Sequence, residues 1–148
     1  MRGVSWLDAQ HYIAWRSRRD RVVYRLPSEL EWEVAARGAD GRRYTWGEVF
    51  WPQAARLSQG YGGLSNLQAD QMRRNGQFAD ESPFGVWDLA GSQAEWCADL
   101  FGGRDEERVL RGNAWALQPV GLEAAFRTSG PQDYFHSTTS FRLAVDAR

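Results

Sequence analysis

The sequence predicts an α+β fold: two helices and short twisted antiparallel strands, joined by much irregular loop. Three observations carry this. Ser5 with Asp8, and Ser28 with Glu31, stand at capping-box spacing at the head of helical segments. Short apolar runs such as Val22–Arg25 and the alternating Phe141–Val145 have the length and pattern of strands. Residues 51–82 show no clean periodicity and hold several Gly, Gln, Asn and Ser, which predicts a long loop pinned by aromatics.

Taken in order, the first helix is expected from about Trp6 to Arg18, with Ala9, Tyr12, Ile13 and Arg16 on one face. Arg18-Arg19-Asp20-Arg21 makes a polar exit, and a short strand follows at Val22–Arg25. The second helix starts after Ser28, with Pro27 and Trp32 at staple spacing, and ends near Arg37 with Gly38 as its cap. Asp40-Gly41 is a turn. Val86–Leu89 and Val109–Arg111 read as short strands, and Phe141–Val145 closes the sheet.

The 148 residues suit one domain, and a 43% hydrophobic fraction with eight Trp, seven Phe and five Tyr is enough for a packed core. Net charge is −1, so the composition points to neither a nucleic-acid nor an anionic-membrane partner. All 18 basic residues are Arg, which reads as the bias of a GC-rich genome. A single cysteine rules out an internal disulfide and fits a reducing compartment, so a cytoplasmic location is favoured. No stretch is apolar enough for a membrane span or a signal peptide.

Five motifs in order then carry a resemblance. They are Gly3-Val4-Ser5-Trp6-Leu7-Asp8-Ala9, the run from Tyr24 to Gly38, Tyr44-Thr45-Trp46-Gly47-Glu48, the run from Ser82 to Trp96, and the pair Val109–Trp115 with Ser140–Val145. Together they resemble the formylglycine-generating enzyme, or sulfatase-modifying factor, domain family. The resemblance implies a C-type-lectin-like fold, shortened at its N-terminus. It also implies a single domain over residues 1–148 that forms the C-terminal part of a longer protein. The segment from Ala36 to Tyr44 is similar to domains fused behind bacterial serine/threonine kinases, so a kinase domain in the same chain is an expected partner.

What the resemblance implies for chemistry is divided. Active members carry a redox cysteine pair, which holds copper, in the stretch equivalent to Ala116–Thr139. That stretch contains no cysteine here, so neither copper nor the oxidase reaction is expected. The family's structural Ca²⁺ loop, carried over position by position, would use side chains of Asp88 and Glu95 and carbonyls of Gly91 and Gln93. The chemistry is reasonable, since Ca²⁺ takes oxygen ligands from a flexible loop. The bland alternative is a capped turn with Glu95 paired to an Arg.

Other constellations read as structural. Cys97 lies among apolar residues with nothing to lower its pKa. His11 and His136 are too few for a zinc or iron site. Glu29, Glu31 and Glu33 read as capping and ion-pairing groups near a helix N-terminus. The remaining stretch, Ala116–Thr139, mixes aromatics with small hydroxyls, an adaptable contact surface. It corresponds to where lectin-like folds gather ligand contacts and where diversity-generating-retroelement variable proteins vary. Trp115, Gln118, Arg127, Asp133, Tyr134, Phe135, His136 and Thr138 are the expected contacts with an unknown protein or small ligand. The chain is therefore expected to be a non-catalytic binding module. The alternative is a residual oxidoreductase whose active site needs a further N-terminal part.

Overall fold

A computed structural model describes residues 2–51, 54, 80–103, 106–114 and 119–146. Both helices form where the capping boxes place them. Helix α1 spans Trp6–Asp20, and the Ser5 hydroxyl accepts the Asp8 N–H while Asp8 reaches back to the Ser5 backbone. Helix α2 spans Glu29–Arg37 with the same reciprocal cap between Ser28 and Glu31. Gly38, at φ 67°, ends α2, and its N–H bonds to the Val34 carbonyl. A side chain there would also strike Pro83, with 2.7 Å left for a Cβ, so both backbone and space require glycine.

The sheet is mixed, where antiparallel strands alone are expected from the sequence. Strands β1 (Ala94–Leu100), β2 (Glu107–Arg111), β3 (Arg127–Pro131) and β4 (Thr139–Ser140) stand in the order β3-β2-β1-β4. The β1–β2 and β2–β3 pairs are antiparallel; β4 runs parallel to β1, with Ala94 opposite Thr139. Two expected strands shrink to a single bridge, Arg25 with Ala144, so the closing strand lies at 139–140 and not at Phe141–Val145. Val86–Leu89 is a loop, because Asp88 turns to φ 62° and breaks the extended run.

The helices cover opposite faces of this sheet. Ala94, Trp96 and Leu110 pack with Ala9 and Ile13 of α1. Cys97 and Val109 pack with Trp32 and Ala36 of α2. Residues 94 to 97 are thus buried in succession, since both faces of β1 are covered. The short 3₁₀ turn Pro119–Leu122 is tied in by Leu122, which packs with Tyr44 and Ala90.

On the α2 face, polar groups lock the layers. Arg111, 2% exposed, bonds Glu29 at 2.6 Å, Glu33 at 2.9 Å and the Ala124 carbonyl at 2.6 Å. Arg127 adds a 2.6 Å bond to the other oxygen of Glu29. Trp32 donates its indole N–H to Glu95 at 2.8 Å.

Candidate functional site: a groove beside the 132–139 loop

On the α1 face, β3 and the loop that follows it border a groove of about 350 Å³. Leu110, Ala94 and Ala114 give it an apolar floor, and Asn113, Thr128 and Thr138 line it with uncharged polar groups. Gly130 makes the room. A Cβ there would lie 3.1 Å from the Tyr134 ring and 3.2 Å from Trp96, so glycine lets Tyr134 settle over β3 above the buried Trp96. Asn113 holds a left-handed backbone at φ 44°, with its side-chain oxygen accepting the Ala114 N–H. Such strain in a non-glycine residue gathers at functional sites.

The rim is aromatic and exposed. Tyr134 is 42% exposed and Phe135 70%. The rings of Tyr134 and His136 lie parallel within 6°, with centroids 6.5 Å apart. His136 Nδ1 is held 2.8 Å from the Thr138 hydroxyl. The loop itself is anchored from below. The Thr139 hydroxyl donates to the Val4 carbonyl at 2.9 Å, the Gly3 N–H to the Thr139 carbonyl at 2.9 Å, and the Leu7 N–H to the Gln132 carbonyl at 3.2 Å.

Of the residues expected to contact a ligand, Tyr134 and Thr138 line the groove and Phe135 and His136 stand at its rim. Asp133 is exposed on the same loop but does not line the groove. Arg127 does not join them. Side chains alternate along β3, so Arg127 turns to the α2 face, where it pairs with Glu29 and covers the Phe101 ring. Trp115 and Gln118 lie outside the described residues. Nothing in the local sequence marks Ala94, Asn113 or Gly130 as groove residues, because only the folded sheet brings them together.

The loop expected to hold Ca²⁺ has a different emphasis. Both oxygens of Glu95 are engaged: Arg142 donates to them at 2.5 and 2.7 Å, and Trp32 adds its N–H. The Arg-paired alternative thus describes Glu95. Asp88 and Gly91 both take left-handed backbone, at φ 62° and 73°, so the loop is tightly wound. Among the described residues, no group of three or more His, Cys, Asp or Glu is arranged to hold a metal. Two buried oxygens of this region nevertheless lack a hydrogen-bond partner, Asp80 Oδ1 and Gln93 Oε1.

The thiol is remote in chemistry as well as sequence. Cys97 is fully buried on the α2 face, and burial, reinforced by the nearby Glu95 charge, pushes its pKa well above the usual thiol range. A buried, protonated thiol is a poor nucleophile.

Comparison with known proteins fits this picture. Residues 1–147 match the sulfatase-modifying factor enzyme 1-like domain. The inactive Cα-formylglycine-generating enzyme 2 of Bos taurus is 38% identical over 125 residues, which is 76% of this chain and 37% of that protein. The formylglycine-generating enzyme of Streptomyces coelicolor is 33% identical across 97% of this chain and 52% of its own length. The serine/threonine-protein kinase Pkn1 of Chlamydia trachomatis is 30% identical across 99% of this chain and 24% of that protein. The chain thus spans about half or less of these relatives. Among solved structures, PvdO from Pseudomonas aeruginosa superimposes with a TM-score of 0.82 at 23% identity, covering 97% of this chain and 60% of that one. Treponema denticola variable protein 1 does so with a TM-score of 0.61 at 27% identity, covering 82% and 47%. With the motifs, the α+β fold and a match along nearly its whole length, this chain belongs to the sulfatase-modifying factor enzyme 1-like domain family.

Proposed function

We propose that the chain is a non-catalytic binding module that engages a protein or small ligand through the 116–139 surface, centred on the groove and its Tyr134–His136 rim. The observation that carries this reading is the pairing of a formed, uncharged groove with exposed aromatics, at a place that offers no thiol. Exposed aromatics beside a pocket are the usual anchors of recognition. A relative named as inactive supports loss of the oxidase reaction, and the Pkn1 kinases support a role as a sensory appendage of a Ser/Thr kinase. The likeness to a variable protein supports a second form of the same idea, in which copies diversify across 116–139.

Two measurements test the proposal. A photo-crosslinking residue placed at Phe135 should capture a partner in cells, and the same residue at Val23, which is 82% exposed, should not. Equal capture from both positions would remove the groove from the argument. Incubation with a sulfatase-motif peptide, copper and O₂ should leave the peptide cysteine unchanged by mass spectrometry. Conversion to formylglycine would support a residual oxidoreductase instead.

A further inference from the structure

Asn113 is 8% exposed at the wall of the groove, and its amide is fixed end for end. The Ala114 N–H lies 2.7 Å from Oδ1 and needs an acceptor, so Oδ1 and Nδ2 cannot change places. Nδ2 is the end left over, and it has no acceptor among the described residues. It lies against Gly121, where a Cβ would come within 2.1 Å of it, so glycine leaves the amide its place. The other polar groups of the lining narrow the choice. The Ser129 hydroxyl donates to Glu107, the Thr139 hydroxyl to Val4, and the Thr138 hydroxyl is taken up by His136 Nδ1. Besides the phenol of Tyr134, that leaves Asn113 Nδ2 and the Thr128 hydroxyl uncommitted around an apolar floor. No charged side chain is among the described lining residues.

We infer that, within the binding role proposed above, Asn113 determines specificity. Its Nδ2, seconded by the Thr128 hydroxyl, donates to a carbonyl oxygen of a neutral ligand whose short apolar group meets Ala94, Leu110 and Ala114. A nearly buried donor without an acceptor is costly until a ligand supplies one. An ionised group would lose its hydration there and find no counter-charge. Main-chain carbonyls of a peptide and carbonyls of a small amide, ester or lactam share this chemistry.

Two probes separate those sources: a phage-displayed library of random peptides, and a fragment set of neutral amides, esters and lactams followed by NMR of the protein. The best hit from either is then measured on variants that tolerate the left-handed backbone of residue 113. Asn113→Asp keeps an acceptor for Ala114 but turns the donor into a second oxygen. Binding should fall about tenfold or more, and further than in Asn113→Gly, which only removes the donor. Gly121→Ala, which pushes the amide aside, should weaken binding as Asn113→Gly does. Unfolding midpoints of the Asn113 variants should stay near that of the wild type. A role in the fold alone predicts the reverse order, with Asn113→Asp binding like the wild type. Binding by Asn113→Asp within twofold of the wild type, or no hit from either probe, overturns the assignment. Phe135→Ala, assayed beside them, tells this failure from that of the binding role. If it weakens binding and Asn113→Asp does not, the rim stands and the donor falls; if neither matters, both fall.

Discussion

The two faces of the sheet make an instructive contrast. The α2 face is closed by interlocking charges: Arg111 and Arg127 pair with Glu29 and Glu33, and Trp32 bonds to a Glu95 already held by Arg142. The α1 face is closed by apolar packing around Trp96 and then opens, past Gly130, into a groove with exposed rings. One sheet therefore separates the groups that hold the fold from those left free to touch something else. Substitutions on the α2 face should change stability, and substitutions at the rim should change binding.

The largest effect expected is at Trp32. Its truncation to Ala empties a fully buried site and strips Glu95 of a donor, and should cost about 3–5 kcal/mol in urea denaturation. Arg111→Met should come next. It takes one partner from each of Glu29 and Glu33, which keep Arg127 and Arg37, so the loss should fall below the about 3–5 kcal/mol of a fully broken buried pair. A stability loss below about 1 kcal/mol for Arg111→Met would mean that packing alone closes the α2 face.

The rim should behave in the opposite way. Phe135→Ala should weaken binding by about 1–3 kcal/mol and leave the urea midpoint nearly unchanged. Gly130→Ala sharpens the point, since its methyl group must push Tyr134 outward; binding should fall more than stability. A variant that unfolds without selective loss of binding would merge the two faces into one core.

The smallest effect is a pH dependence at the head of α2. Arg25 donates two 2.6 Å bonds to Glu31 and, with the Ser28 backbone N–H, holds its pKa at about 2 against an ordinary 4.5. A carboxylate depressed on folding contributes its full stabilisation above the unfolded value and loses it as pH falls from about 4.5 to about 2. The pair is exposed, so the effect is modest. Denaturation curves of wild type and Glu31→Gln should differ at pH 7 and converge by about pH 2.

What was legible in the sequence was local. Ser5 with Asp8, Ser28 with Glu31, and Gly38 each act within four residues, so both helices could be read directly. The strands were harder because their reasons are distant. Residues 94–97 show no alternation, since helices cover both sides of β1. Strand β3 consists of Arg127-Thr128-Ser129-Gly130-Pro131, residues chosen less for extended structure than for pairing with β2 and for clearance beneath Tyr134. The rim was legible because Tyr134, Phe135 and His136 are consecutive. Its floor was not, because Ala94, Leu110 and Gly130 meet only through strand pairing.

The bonds from Gly3, Val4 and Leu7 to the 132–139 loop have a mechanical consequence. The segment from Gly3 to Leu7 and the aromatic rim are two ends of one short lever, joined through Thr139 and Gln132. A pull that lifts Val4 from Thr139 must loosen the support under His136. By reciprocity, a ligand that stiffens the rim must resist that pull with equal free energy. Three hydrogen bonds thus join this segment to the rim, and force spectroscopy pulling from residue 3 should show a higher rupture force when a ligand fills the groove.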